Sequence, residues 1–508
     1  MSMSTSLNYE AEFCGKVPLN QTNLIQPHGV LLVVDQTDFH ILQLSENAGD
    51  VFGLDFKKLV SKSLFDFLPE AQIERFQQRF EQKFAGKLPF TLSLPSGDFL
   101  ASVQSNGQFL IIEIEKEKRS VANTDSFLDI YQELKYAMTA VETATTTVEA
   151  CETAANELKR ISGFDKIMIY QFDQDWNGDV IAEVKEEGMD AYLGLKFPAS
   201  DIPKQARELY KKTPCRLIPN VEYAAVKLYP VLNPVTNAFT DLSNSNLRSV
   251  AGVHLEYLRN MGVTASMSTR ILVDDQLWGL IACHHRTPKY LSFEMSSVFE
   301  LLSNIISAKI SAVQKQDAFS YKTNMQNLYA DFFEEVYKEG SLSETVVKKQ
   351  DDLLKLLNAD GVAFVNNHQI LPIGQTPEEA DISELILWLQ SKGGTGIYHQ
   401  TNLSSVFEPS EKYACTASGI LSLAIQPEKG SYIVAFRPEA VQKVNWGGNP
   451  NEAVQFAADG RQYHPRNSFS QWQQTVKQTC IPWKKEEIAI AENFRNFVLD
   501  YTLNKFYN

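Results

Sequence analysis

From Ser292 to Lys338 the chain holds neither proline nor glycine, and Val298, Leu301, Leu302, Ile305, Ile306, Ile310 and Val313 recur at helical spacing. At about 1.5 Å per residue, such a helix would exceed roughly 60 Å. That is too long to sit inside one domain, so the helix is expected to bridge two. The 508-residue length gives the same answer, since a single core stops growing well short of it and about three domains are expected.

Composition then narrows the class. Hydrophobic residues make up 44% and charged residues 21%, the balance of a globular chain. A net charge of −15 argues against nucleic acid as the main ligand. No apolar run approaches the roughly 18 residues that span a bilayer. Val30–Val34 reads instead as a buried strand, and no membrane partner is expected. The first dozen residues are polar and carry acids, so no signal peptide is visible. The six cysteines, Cys14, Cys151, Cys215, Cys283, Cys415 and Cys480, form no CxxC pair. That excludes a zinc ribbon or dithiol redox motif and fits a reducing cytoplasm, with a buried structural thiol as the default for each. No metal site is expected.

Patterning divides the rest. Short apolar runs at Gly29–Val34, His40–Leu44, Phe90–Leu94, Phe99–Val103 and Phe109–Ile114, with a helical stretch over 71–84, predict a small antiparallel sheet with helices. The charged stretch Glu113–Arg119 reads as a linker. Residues 126–163 read as one long helix ending at Gly163. Strands at Ile167–Asp173 and Asp179–Val184 follow. A hairpin of Ser268–Val273 and Leu277–His284 turns on Asp274-Asp275. A third domain extends to about residue 485, and a closing helix carries Ile488, Phe494, Phe497, Val498 and Tyr501. Segment 445–472 breaks the pattern as a long loop with aromatic residues at both ends, the kind that is usually functional.

Five motifs, in order along the chain, carry a resemblance. They are Cys14 ahead of Ile25-Gln26-Pro27-His28-Gly29, Pro198-Ala199-Ser200-Asp201-Ile202-Pro203, Tyr257-Leu258-Arg259-Asn260-Met261-Gly262, Cys283-His284-His285, and the Trp446-Gly447-Gly448 and Pro465-Arg466-Asn467-Ser468-Phe469 ends of the late loop. With them the chain resembles the bacterial phytochromes over essentially its whole length. The resemblance implies an α+β fold of three consecutive PAS/GAF-like domains joined by long helices. It places an N-terminal segment at 1–24, a PAS domain at 25–118, a GAF domain at 126–316 and a PHY domain at 317–508, with a "tongue" at 445–475. It also implies a figure-of-eight knot between PAS and GAF, threaded at Ile25; such knots are very rare.

The same resemblance implies the ligand. Bacterial members attach biliverdin (the IXα isomer) by a thioether from an N-terminal cysteine, and Cys14 holds that place. The alternative family cysteine, directly before the GAF histidine His254, is here Val253. Arg216 and Arg248 match propionate ligands, as guanidinium forks suit carboxylates. Ser266, Ser268, His254 and Tyr210 fit further hydrogen-bonding roles. The Asp201 carbonyl and a water near His254 would accept from pyrrole N–H groups, His284 would bond the ring D carbonyl, and Tyr170, Phe197 and Tyr257 would pack around ring D. Ile202 and Pro203 complete the motif loop. Asp201 has a second reading, as the cap of a helix over 204–211 with Pro203 in its first turn. Ala251 departs from relatives that carry a serine there.

The expected function is a red/far-red photoreceptor. Isomerisation at the C/D-ring bridge would refold the tongue, whose switch residues are Trp446, Pro465, Arg466, Ser468 and Phe469. Arg466 would pair with Asp201 in one state and Ser468 would replace it in the other. The signal would leave through the long helices of a parallel homodimer to an output histidine kinase or other effector, and on to a response regulator. No catalytic residue is expected in this chain. The alternative is a haem- or redox-sensing GAF protein ligating iron through His254 or His284.

Overall fold

A computed structural model describes residues 19–81, 86–107, 109–118, 127–366, 369–450, 454–456 and 463–507. Cys14 and Gly460 lie outside them. The chain forms two compact units, residues 1–313 with 445–472, and residues 314–444 with 473–508. The boundary falls inside the helix Phe293–Glu339, between Val313 and Gln314, so the glycine- and proline-free stretch is one 47-residue helix shared by both. No helix among the described residues is long and apolar enough to cross a membrane.

The first unit holds two large sheets and a two-stranded ribbon of Val454–Phe456 with Tyr463–Pro465. The N-terminal one has seven strands, and its central strand Gly29–Asp35 is buried from Gly29 to Val34, as an apolar run flanked on both sides requires. Two of its strands were not foreseen. Leu24–Ile25 pairs with Val226–Tyr229, which in turn pairs with Ile41–Ser45. The far side of the same short segment is also occupied. Ser249 N–H donates to the Leu24 carbonyl at 3.0 Å and Gln26 N–H to the Leu247 carbonyl at 2.7 Å. Ile25, fully buried, therefore passes between two arms of the 226–249 loop, the crossing that the expected knot requires.

Two local expectations are corrected. Glu113–Arg119 is no linker as far as Lys118, because the strand Phe109–Lys118 runs through it. Its carboxylates are structural. Buried Glu113 accepts from Lys87 Nζ at 2.7 Å and Leu247 N–H at 2.9 Å, and Glu115 accepts from the Tyr290 hydroxyl at 2.6 Å. The 126–163 helix is broken into Phe127–Thr143 and Thr147–Ser162. Thr146 caps the second by accepting from Glu149 N–H at 3.1 Å, while the Glu149 carboxylate reaches back to Thr145 N–H at 2.7 Å. This reciprocal capping starts a new helix without proline or glycine. Gly163 closes it at φ +62°, as expected.

In the second sheet the Asp274-Asp275 turn has both residues at positive φ, which joins Ala265–Val273 tightly to Gln276–His285. The second unit is built on a five-stranded sheet whose strands Gly419–Gln426 and Ser431–Arg437 are buried almost throughout. The closing helix Lys485–Tyr507 buries Ala491, Phe494 and Val498 in that unit's core.

Candidate functional site

Strand alternation sorts the second sheet of the first unit into two faces. Cys215, Leu217, Met267, Ile281 and Cys283 point to the core against the helices. The intervening positions carry the polar groups. Arg216 stands opposite Ser268, and Ser266 opposite His284. The aromatic residues Tyr170, Phe197 and Tyr257 belong to the cluster on this same face, with Ile202 and Tyr210 packed beside them. The structure thus gathers the motif residues around one sheet face, although they are scattered over more than a hundred positions.

The electrostatics of this face are unbalanced. Arg216 donates to the carbonyls of Ser245 at 3.4 Å, Asn246 at 3.3 Å and Arg248. Arg248 is buried, and its Nη1 has no hydrogen-bond partner. Burial and the neighbouring Arg216 charge lower its pKa to about 9. Neither guanidinium forms an ion pair with a carboxylate among the described residues. Two neighbouring like charges, one buried and one half-buried, are costly unless an anion joins them. Buried His284 has an unpartnered Nδ1, and burial, with Lys166 and His254 beside it, lowers its pKa to about 3. His254 stacks on Tyr257 at 6.1 Å and is lowered to about 4, by burial first and then by Arg216. Both rings are neutral at ordinary pH. The Tyr210 hydroxyl lies 2.6 Å from Ser268 Oγ. Ala251 precedes the helix Gly252–Asn260 and supplies no side-chain cap.

Asp201 caps nothing. The helix Lys204–Lys212 has Pro203 as its N-cap, with no side-chain bond there. The carboxylate turns the other way and accepts from the Tyr257 hydroxyl at 2.8 Å and from Arg466 Nη2. Burial pushes Asp201 up to about 6, against the opposing pull of Arg466 and Tyr257. The Ile202 carbonyl is held by Arg207 at 2.8 Å.

The late loop is a β arrangement rather than irregular chain. Trp446 pairs with Lys196 in parallel, so the segment extends the sheet. Gly447 lets it come close, since a Cβ there would lie 2.7 Å from the Phe197 ring. Gly448, at φ +99°, donates its N–H to the Ser470 carbonyl at 2.9 Å. Pro465, Arg466 and Phe469 are buried, whereas Ser468 is exposed. The Arg466 guanidinium sits between the Phe197 and Phe469 rings, at 5.1 and 4.8 Å from their centroids. Three contacts escaped the sequence. Asn260 donates to the Arg466 carbonyl at 3.2 Å, His464 lies 3.0 Å from Glu256, and Arg207 packs on Trp176 at 4.6 Å. Asn260 stood inside a quoted motif, which was the one available signal.

Residues 325–506 match the family model described as the phytochrome region, residues 14–117 a PAS fold and residues 146–310 a GAF domain. Cyanobacterial phytochrome B of Nostoc sp. is 36% identical over 496 residues, covering 97% of this chain and 66% of that protein. The chain therefore spans just under two thirds of that relative's length. A bacteriophytochrome of Xanthomonas campestris pv. campestris is 32% identical over 510 residues, covering 97% of this chain and 79% of that protein. A bacteriophytochrome crystal structure from R. palustris superposes with a TM-score of 0.85 at 32% identity, covering 97% of this chain and 99% of the other.

Proposed function

Because this chain belongs to the phytochrome family, we propose that it is a light-sensing module that binds biliverdin through a thioether at Cys14. The observation that carries the reading is the sheet face with Arg248 Nη1 and His284 Nδ1 buried and unpartnered beside Arg216. A ligand with carboxylates and carbonyls fits those groups, and Tyr170, Phe197 and Tyr257 supply an apolar wall for its ring system. Two cationic forks suit two propionates. Bound bilin would supply red-light absorption and isomerisation at the C/D-ring bridge.

The chain's own residues would do the rest. Arg216 and Arg248 neutralise and orient the carboxylates. Neutral His254 and His284 act as hydrogen-bond partners without adding charge. Asp201 holds the 445–472 hairpin through Arg466, and Tyr257 ties that pair to the ligand wall. Release of Arg466, with Ser468 taking its place, would be the outgoing step. In the longer protein a parallel dimer would pass the signal to a histidine kinase or other effector and a response regulator in the cytoplasm, with no catalysis in this chain.

The test is assembly with biliverdin in darkness, followed by absorption spectra before and after red light. A red band that converts to a far-red product is expected, with zinc-dependent bilin fluorescence on a denaturing gel that Cys14→Ser abolishes. No red band, or a haem Soret band from cell-purified protein, overturns the reading.

A further inference from the structure

The second unit contains a buried charge cluster with no part in the site above. Arg437, the last residue of the strand Ser431–Arg437, uses all three guanidinium nitrogens. Nε donates to the Asn358 carbonyl at 2.8 Å, Nη1 to the Ile481 carbonyl at 2.9 Å and Nη2 to the Glu487 carboxylate at 2.9 Å. The guanidinium also lies 4.2 Å over the Trp483 ring. Glu487 accepts in addition from Asn358 Nδ2 at 2.6 Å and from Lys484 N–H at 2.9 Å. The last of these is a capping bond, because Lys484 immediately precedes the helix Lys485–Tyr507 and Glu487 is its third residue.

The position of this cluster along the chain is informative. The hairpin 445–472 leaves the second unit after Val444 and re-enters it at Gln473. Its two legs meet at the base, where Ala440 N–H donates to the Thr479 carbonyl at 2.8 Å and Gln478 N–H to the Glu439 carboxylate at 2.6 Å. Beyond that base only the connector 480–484 separates the returning leg from the closing helix. Arg437 grips the connector at Ile481 and the first turn of the helix at Glu487, and it lies a few residues ahead of the outgoing leg. One rigid guanidinium therefore holds both legs and the helix start in fixed relation.

We propose that Arg437 and Glu487 are the positioning pair that transmits displacement of the 445–472 hairpin to the start of the closing helix. The pair touches no ligand and acts only through the connector. The inference rests on the hairpin being the moving part, as in the reading above, but its test needs no light.

The test is hydrogen exchange by mass spectrometry on the whole chain in darkness, comparing wild type, Arg466→Ala, Glu487→Gln and the double variant. Arg466→Ala should speed exchange in 463–472. It should also speed exchange in 485–492 by about fivefold or more, the low end of ordinary coupling between sites. In the Glu487→Gln background the second acceleration should fall below about twofold while the first persists. Arg437→Lys, which keeps the charge but not the fork, gives a second background should Glu487→Gln fold poorly. Equal acceleration of 485–492 in all backgrounds overturns the proposal. So does acceleration of 463–472 alone in the wild-type background. Failure of the light reading would appear separately, as a missing red band.

Discussion

Two buried arginine–carboxylate pairs are built differently, Arg437–Glu487 at the base of the 445–472 hairpin and Arg466–Asp201 further along the chain toward its tip. At the base, Arg437 has a partner for every guanidinium nitrogen and Glu487 has three donors. At the tip, Arg466 reaches Asp201 through Nη2 alone, while its Nε and Nη1 are buried without a partner. Asp201 has one further donor, Tyr257. Burial is nearly equal, with side chains 7% and 4% exposed at the base and 3% and 5% at the tip, so satisfaction of the charges, not solvent access, separates them. A fully satisfied buried pair holds one geometry, whereas an under-satisfied one is easily exchanged for another arrangement. The tip is suited to let go and the base to hold.

The largest difference should appear on breaking each pair. Glu487→Ala leaves a buried guanidinium with no way to shed its charge and should cost about 3–5 kcal/mol. Arg466→Ala leaves a carboxyl whose pKa is already about 6. Removing Arg466 takes away a pull that lowers that value, so at pH 7 protonating the group costs at most about 1.4 kcal/mol. Its loss should therefore cost about 1–3 kcal/mol. Urea midpoints, read by exchange in 485–498 and in 463–472, check the order. Equal costs would dissolve the contrast.

A smaller effect follows from the same carboxyl. Burial under the hairpin raises the Asp201 pKa to about 6 despite the pull of Arg466; undocking exposes the carboxyl and returns it toward the ordinary range, so the docked state binds the proton more tightly. Docking should therefore strengthen as pH falls through about 6 and weaken as pH rises through it. His464 of the same hairpin also contacts Glu256, so the measurement belongs in His464→Gln. Exchange of 463–472, corrected for the intrinsic pH dependence, should be more protected at pH 5 than at pH 8. A flat profile would separate docking from the Asp201 charge.

The two pairs also show what the chain makes legible. The Asp274-Asp275 hairpin and the Phe293–Glu339 helix were readable because local spacing determines them. The break at Thr146 was missed because its cause, a reciprocal cap, carries no proline or glycine. Glu113 was misread as linker because a charged residue buried in a strand is recognisable only from Lys87, Ser245 and Leu247, which lie far away in sequence. Asp201 was read both as a cap and as a switch residue, since the motif fits both, and only the fold decides that its carboxylate faces Arg466. The sheet face was legible through resemblance, its alternation merely confirming which residues can share it. Arg437–Glu487 was legible in neither way, being fifty positions apart and in no quoted motif.

The smallest prediction tests whether the contrast extends to single hydrogen bonds. Asn358→Gly removes one donor from Glu487 while keeping the left-handed backbone, where φ is +43°. Glu487 retains Arg437 and Lys484 N–H, so the cost should be about 1 kcal/mol. Tyr257→Phe removes one of the two donors to Asp201, and its cost should depend on pH. Above about 6 the hydroxyl bonds an ionised carboxylate, and the loss should reach about 1.5–3 kcal/mol. Below that value Asp201 holds a proton, and the bond becomes an ordinary neutral one worth about 1 kcal/mol. Urea midpoints of the two variants at pH 5 and pH 8 would show the difference. A Tyr257→Phe cost that is the same at both values would mean that Asp201 does not titrate in this range. The tip would then be as fixed in charge as a clamp, and only the unpartnered Arg466 nitrogens would still set it apart from the base.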